Sequence, residues 1–269
     1  MYRFRNNEWS LMDLENQTGW DTINEVHDFF SVGVHPTQGT FAVGTYSDAA
    51  LTIFNDEDSI EVVYHEDNSP LKKTSLGNDD HYISGLQYDR AGNLFVLNGY
   101  SDEIIKVLTA DDEWFTYDLG ATSKNKQTFD LLLDYNDHLW AVVAGQGLYA
   151  YDYNGTIDNP NDDRIQHFTN SENSGALPSN NVTAVAVDFD NEIWVGTEAG
   201  FAIIYNSAST FDAAPGEYNA QRIKLEFEGN VEFLLGSTFI SDIEIDGGNR
   251  KWIATAGSGI FCLSADGLT

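Results

Sequence analysis

Acidic side chains are the most numerous residues in this 269-residue sequence that could do chemistry, because carboxylates bind cations and accept protons. Short Asp-containing clusters occur at DFDNE, DYNDH, DRAGN and DGGNR, but none has the spacing of a calcium-binding loop. An Asp before a tight turn caps that turn, so these clusters predict structural turns. The longer cluster DYNGTIDNPNDD is a candidate Ca²⁺ site, with a solvated inter-strand loop as the alternative. Its candidate ligands are Asp152, Asp158, Asp162 and Asp163.

A second set of residues could bind a ligand. His27 with Asp28, and Asp130 and Asp242 at the entries of two predicted strands, could contribute to a polar ring at the mouth of a central channel. Trp20 could provide a surface on which a sugar ring stacks. Solvated or turn positions are the alternative for these residues. The six histidines show no zinc-motif spacing, so the sequence predicts no zinc site.

Motifs for nucleophilic or nucleotide chemistry do not occur. The sequence has no G-x-S-x-G segment, P-loop or dinucleotide fingerprint. Its 43 acidic residues can always supply two facing carboxylates, so their abundance alone does not indicate a glycosidase. We therefore expect no enzyme and no cofactor beyond Ca²⁺, with a lyase or glycosidase as an alternative.

A repeated element must position these side chains. Five copies of a GxxxWVGT-like segment centre on Phe41, Phe95, Trp140, Trp194 and Trp252, at intervals of 54, 45, 54 and 58 residues. Each copy reads as an alternating strand, a tight turn and a second strand, with further strands in segments such as GLYAYDY and IKLEF. Four short antiparallel strands about every 50 residues predict an all-β fold, a β-propeller of four-stranded blades.

The repeat also predicts blade boundaries within a single propeller region, 1–269. Trp9 in MYRFRNNEWSLMDL occupies the place of Trp114, so the chain is expected to begin in the middle of a blade. Either this segment completes the last blade and closes a five-bladed ring, or the chain is part of a larger propeller. The predicted boundaries are 1–20 for the end of an incomplete blade, 21–75, 76–122, 123–176 and 177–235 for blades, and 236–269 for an incomplete last blade.

The first strand of each copy has a large and a small face. Apolar residues such as Val32 and Val34 are expected to be core, and small residues such as Ala184 and Ala186 to allow close approach of neighbouring blades. The single cysteine, Cys262, lies in the apolar run GIFCL and is expected to be a buried hydrophobe.

The net charge of −30 predicts repulsion of nucleic acids and anionic lipid headgroups. No stretch approaches the roughly 20 apolar residues of a membrane span, and the first residues lack a signal-peptide core. We therefore expect no nucleic-acid partner and no membrane insertion by this chain.

Residues 177–205, LPSNNVTAVAVDFDNEIWVGTEAGFAIIY, resemble the two-component-regulator propeller repeat of Bacteroidota surface and sensor proteins. Asn68, Ser69 and Leu71 match the linker between such blades. Together with segments like DDEWFTYDL, the chain is similar to PorZ-type components of the type IX secretion system. The resemblance implies an exported, non-catalytic scaffold at the cell surface or in the periplasm, with protein partners or surface glycan. It also implies an alternative, the ligand-sensing ectodomain of a hybrid two-component receptor.

Overall fold

The computed structural model describes residues 2–5, 7–11, 26–57, 59–227 and 229–267. Regular structure in these residues is β-strand apart from a short 3-10 helix, Ser207–Asp212, so the predicted all-β class is confirmed. None of the helical structure described is long and apolar enough to cross a membrane. The chain divides into two compact units, Met1–Thr128 and Phe129–Thr269.

The first unit contains two consecutive antiparallel meanders. Its strands are β1 (Tyr2–Arg5), β2 (Glu8–Leu11), β3 (Phe29–Val34), β4 (Phe41–Ser47), β5 (Leu51–Phe54), β6 (Ile60–Tyr64), β7 (His81–Tyr88), β8 (Leu94–Asn98), β9 (Ile105–Leu108) and β10 (Trp114–Tyr117). The first meander is β3 to β6 and the second is β7 to β10, each paired in chain order, while β1 and β2 form a separate hairpin. The end of β4 also pairs with the start of β7, where Ser47 lies opposite His81. This pairing joins the two meanders.

Small residues bring the innermost strands of the two meanders together. A Cβ atom added to Gly33 on β3 would lie 3.2 Å from the Leu86 Cβ on β7, so the two strands pack at close range. The predicted small face is therefore confirmed here. Val32 and Val34 alternate with Gly33 and point away from β7, and they are 55% and 66% exposed. The expectation that they are core residues is wrong for this copy.

The second unit continues the same pattern. Its strands are β11 (Thr128–Leu133), β12 (Leu139–Val143), β13 (Gly147–Asp152), β14 (Arg164–Phe168), β15 (Val182–Val187), β16 (Ile193–Thr197), β17 (Gly200–Ile204), β18 (Lys224–Phe227), β19 (Asn230–Phe233), β20 (Ile240–Ile245), β21 (Lys251–Thr255) and β22 (Gly259–Leu263). They form a four-stranded sheet β11 to β14, a three-stranded sheet β15 to β17, a hairpin β18–β19 and a three-stranded sheet β20 to β22.

The segment IKLEF does not form the fourth strand that the repeat predicts. Gln221 makes a single antiparallel bridge with Ile203 of β17, at the place where a fourth strand would start. The following residues, Lys224–Phe227, pair instead with Asn230–Phe233. Local hairpin pairing therefore replaces pairing with the sheet over these residues.

Small inner-strand residues also bring sheets together in the second unit. Ala184 and Ala186 of β15 pack in one buried cluster with Ile240 and Ile243 of β20, as the small-face pattern predicts. Cys262 is exposed, however, and the prediction of a buried thiol is wrong. It pairs across the sheet with Trp252, on the opposite face from Leu263, which joins the cluster.

Candidate functional site

The aspartates that precede the aromatic in four of the five repeat copies bind their own hairpin turn. One oxygen of Asp188 accepts hydrogen bonds from the backbone N–H of Asp190 and Glu192, at 3.0 and 2.9 Å. The other oxygen accepts the indole N–H of Trp194 at 3.2 Å. The same indole bond links Asp134 to Trp140 and Asp246 to Trp252. These carboxylates position the turn and the tryptophan, which agrees with the interpretation of the short clusters as structural turns.

The long loop 152–163 supplies its own donors to the predicted calcium ligands. Asp152 pairs with Arg164 at 2.5 Å, and Asp163 accepts the hydroxyl of Tyr151. Asp162 accepts hydrogen bonds from Thr156 at 3.0 Å and from Asn154 at 3.2 Å, whereas Asp158 is exposed. A calcium ion would have to replace these donors, and Ca²⁺ binding at this loop stays a prediction.

Two of the predicted channel residues interact in the second unit. Burial raises the pKa of Asp130 on β11 to about 6, and the nearby negative charges of Asp242 and Glu244 on β20 add to the effect. Asp130 and Asp242 each accept a hydrogen bond from the next backbone N–H, those of Leu131 and Ile243, at 2.8 and 2.9 Å. The structure therefore gathers acidic side chains from two inner strands, where they can hold a proton near pH 6 or attract a cation.

The other predicted ligand residues lie in the first unit. His27 and Asp28 precede β3, and the His27 Nδ1 lies 3.4 Å from an Asp28 carboxylate oxygen, with both side chains largely accessible. Trp20 lies outside the described residues. A polar ring that includes all of these residues stays a prediction.

A cavity of about 490 Å³ lies between the two meanders of the first unit, and the sequence did not predict it. Its aromatic lining consists of His35, Tyr64 and Tyr88, with the His35 and Tyr88 rings 5.1 Å apart. His35 replaces the repeated Asp as the turn acceptor, because its Nδ1 accepts the backbone N–H groups of Thr37 and Gln38. This departure from the repeat in the first copy was the one sequence signal for the cavity. The remaining lining residues are Gln38, Thr40, Ile53, Glu61, Val62, Gly92, Leu94, Leu108, Thr109, Ala110 and Asp112.

The cavity combines aromatic walls with carboxylates. Burial raises the pKa of Tyr88 to about 12, and the Glu61 charge contributes. Burial also raises the pKa of Tyr64, with Asp112 and Glu61 as further causes. Both phenols are therefore protonated at neutral pH and can donate hydrogen bonds. Since no Lys or Arg is among the described residues that line the cavity, it suits a neutral or cationic ligand with hydroxyl or ammonium groups better than an anion.

A third group contains possible metal ligands. Asp48, Glu66 and His81 each place one possible ligand atom within 4.8 Å of the other two. Among the described residues, this is the group of three or more His, Cys, Asp or Glu side chains that lies close enough to share one metal ion. The residues come from three separate segments of the first unit, so no fixed spacing marks them in the sequence.

Comparison with known proteins identifies one repeat directly. The family two component regulator propeller matches residues 176–199, which include Trp194. No curated protein matches the chain in sequence. The match confirms the resemblance predicted from the segment LPSNNVTAVAVDFDNEIWVGT.

Solved structures share the fold at low sequence identity. PorZ, an essential surface component of the type IX secretion system of Porphyromonas gingivalis, matches with a TM-score of 0.75 and 22% identity, over 88% of this chain and 33% of PorZ. The extracellular domain of the hybrid two component system BT3049 from Bacteroides thetaiotaomicron matches with a TM-score of 0.64 and 20% identity, over 98% of this chain and 31% of that one. Virginiamycin B lyase from Staphylococcus aureus matches with a TM-score of 0.60 and 12% identity, over 91% of this chain and 69% of the lyase.

The chain spans about a third of the length of PorZ and of the BT3049 ectodomain. At these identities the similarity is one of fold. The repeated strands, the antiparallel meanders and the similar solved structures all indicate the β-propeller fold. The chain is a β-propeller protein that carries a two component regulator propeller repeat and resembles PorZ-type components of the type IX secretion system.

Proposed function

We propose that this chain is a non-catalytic propeller module that binds a protein or a glycan at the bacterial cell surface, in type IX secretion. The observation that carries the proposal is the similarity to PorZ, with a TM-score of 0.75 over 88% of the chain. PorZ is a surface component of that secretion system, and a propeller module of the same fold would serve as one part of such an assembly.

Charge narrows the class of partner. With a net charge of −30, the chain repels anionic polymers over much of its surface and attracts basic protein surfaces. A neutral glycan is also compatible, because its binding relies on hydrogen bonds and stacking rather than on charge. The proposed partner is therefore a basic protein surface or a glycan segment without negative charge.

The cavity between the two meanders is the proposed contact site. The rings of Tyr64 and Tyr88 offer apolar faces, while the carboxylates of Glu61 and Asp112 can accept hydroxyl or ammonium protons. A cavity of about 490 Å³ is of the size that holds a sugar unit or a long side chain of a protein partner.

Capture from an outer-membrane extract of the source organism tests the proposal. The immobilised wild-type chain is compared with Glu61→Gln and Tyr88→Phe, which alter the cavity with little change in volume, and with Tyr135→Phe, an exposed position in the second unit. Bound proteins and glycans are identified by mass spectrometry. We expect secretion-system proteins or surface glycan to be enriched by the wild type and by Tyr135→Phe, and less by the two cavity variants. Equal recovery of the ligand by all four proteins would exclude the cavity as the contact site. If neither secretion-system proteins nor surface glycan are captured, the proposed function is contradicted.

A small-molecule sensor is the second candidate, and the BT3049 ectodomain favours it because its fold covers 98% of this chain. In that role the cavity would bind a free sugar or amine. The melting temperatures of the wild type and Glu61→Gln are measured with a panel of neutral sugars and amines. A compound that raises the melting temperature of the wild type but not of Glu61→Gln, together with the absence of protein in the capture experiment, would favour the sensor.

A further inference from the structure

The group of Asp48, Glu66 and His81 lies where the two meanders of the first unit are joined. Asp48 follows β4, Glu66 follows β6, and His81 is the first residue of β7, opposite Ser47 in the sheet. His81 is completely buried, whereas Asp48 and Glu66 are 29% and 30% exposed, so solvent reaches the carboxylates but not the imidazole.

The imidazole of His81 has one satisfied nitrogen and one unsatisfied nitrogen. Its Nδ1 lies 3.3 Å from the backbone carbonyl of Ser47, which can only accept, so Nδ1 carries the proton of a neutral ring. The Nε2 is buried and makes no hydrogen bond, although a Glu66 carboxylate oxygen lies 3.0 Å away. Two lone-pair atoms at that distance repel each other unless a proton or a cation lies with them.

A proton on Nε2 would not resolve this contact, because that buried nitrogen makes no hydrogen bond with the Glu66 oxygen although the two atoms lie 3.0 Å apart. The neutral ring is the form that coordinates metals, and a backbone carbonyl on the opposite nitrogen is the usual means of orienting a metal-binding histidine.

A cation already lies at this place. Lys73 Nζ forms ion pairs with Glu66 at 2.7 Å and with Asp48 at 3.7 Å. The carboxylates are therefore arranged around a positive charge. Lys73 is a flexible side chain, 32% exposed, and it can leave toward solvent when a stronger cation arrives.

We propose that Asp48, Glu66 and His81 form a Zn²⁺ site in which the metal replaces Lys73 and fastens the first meander to the second. One imidazole nitrogen and two carboxylate oxygens are a donor set that zinc accepts, with a water molecule in the fourth position. Calcium and magnesium prefer oxygen ligands alone, so the histidine selects against them. The site would stabilise the pairing of β4 with β7 by binding only the folded protein.

Titration of the full chain with ZnCl₂ by isothermal calorimetry, after treatment with EDTA, tests the proposal. We expect one saturable site per chain in the wild type. His81→Gln and Glu66→Gln should each weaken binding by about 100-fold or more, beyond the 10- to 100-fold typical of second-shell changes. Lys73→Met should tighten binding by about tenfold or more, because it removes a competing unit charge within about 4 Å.

His65→Gln is the matched control, because His65 lies next to Glu66 in the chain but is absent from the converging group. It should bind Zn²⁺ as the wild type does. Zn²⁺ should also raise the melting temperature of the wild type and of Lys73→Met more than that of His81→Gln, whereas any effect of CaCl₂ should be the same in the wild type and in His81→Gln. The proposal is overturned if neither the wild type nor Lys73→Met shows a saturable Zn²⁺ site. It is also overturned if Glu66→Gln binds like the wild type, or if His65→Gln loses binding to the same extent as His81→Gln.

Discussion

Replacing Asp130 with Asn should stabilise the protein at neutral pH. Burial raises the pKa of this carboxyl from 3.8 to about 6. Each pKa unit corresponds to about 1.4 kcal/mol, so a difference of about two units gives a penalty of roughly 3 kcal/mol for the ionised form in the folded state. Asn keeps an acceptor for the Leu131 N–H and carries no charge, so it removes this penalty.

The sign of the pH dependence follows from the direction of this change. Because the folded-state pKa lies above the unfolded value, the folded protein binds the proton more tightly between about pH 4 and pH 6. This carboxyl therefore makes stability fall as the pH rises through that window, and its penalty is constant above about pH 6. At pH 4 the carboxyl is protonated in the folded state, and the wild type and the variant should have nearly equal stability.

Urea unfolding of the wild type and Asp130→Asn at pH 4, 5, 6 and 7.5 measures this effect. The difference between the two proteins isolates residue 130, because the other carboxylates titrate in both. We expect the variant to gain roughly 2–3 kcal/mol at pH 7.5 and close to nothing at pH 4. Asp242→Asn serves as a control and should give a smaller gain, since burial is the larger cause of the raised pKa. A variant that is no more stable than the wild type at pH 7.5 would refute the reasoning.

Three further predictions concern the packing and the charge of the chain. Asp188→Ala should lower the free energy of unfolding, measured in urea, by about 3–5 kcal/mol, because it leaves the buried amine of Lys251, 2.9 Å away, without its carboxylate. The double variant Asp188→Ala, Lys251→Met should regain much of this loss. An unchanged midpoint for the single variant would show that the pair is unimportant. Gly196→Ala should lower the melting temperature, because the added Cβ atom would lie 2.7 Å from Ile240 Cγ2. Gly247→Ala is the control and should leave the melting temperature unchanged, because the space around Gly247 is open. Equal effects of the two substitutions would contradict the close packing of the sheet β15 to β17 on β20. Raising NaCl from about 10 to about 150 mM should increase the melting temperature through screening of the −30 charge, and a flat response would indicate local pairing of the acids.

The repeat predicted the fold because most copies form the same hairpin, with the same contacts between the turn and the strand that follows it. Asp188 and Trp194 are six residues apart so that one carboxylate can cap the turn and bind the indole, and this spacing recurs across copies. Alternation along each inner strand then predicted the small faces correctly. It failed for Val32, Val34 and Cys262, because periodicity shows which residues share a face but does not show whether another sheet covers that face.

The candidate sites were harder to predict because tertiary pairing creates them. His35 and Tyr88 of the cavity belong to different repeats and meet only when the two meanders pack. The group of Asp48, Glu66 and His81 has no zinc-motif spacing, because its members come from three separate segments of the chain. Asp130 and Asp242 were recognised because both lie on inner strands at matching places in the repeat.

Native mass spectrometry of the chain with its captured ligand tests most directly whether the chain binds that ligand without converting it to products. The ligand fraction eluted from the wild-type chain is incubated overnight with fresh protein, and the masses of the complex and of the free ligand are recorded. The proposed function predicts a saturable complex and a ligand mass that is unchanged. A ligand that is converted to products by the wild-type chain, with the same products absent from a heat-denatured sample, would contradict the claim and indicate a propeller enzyme.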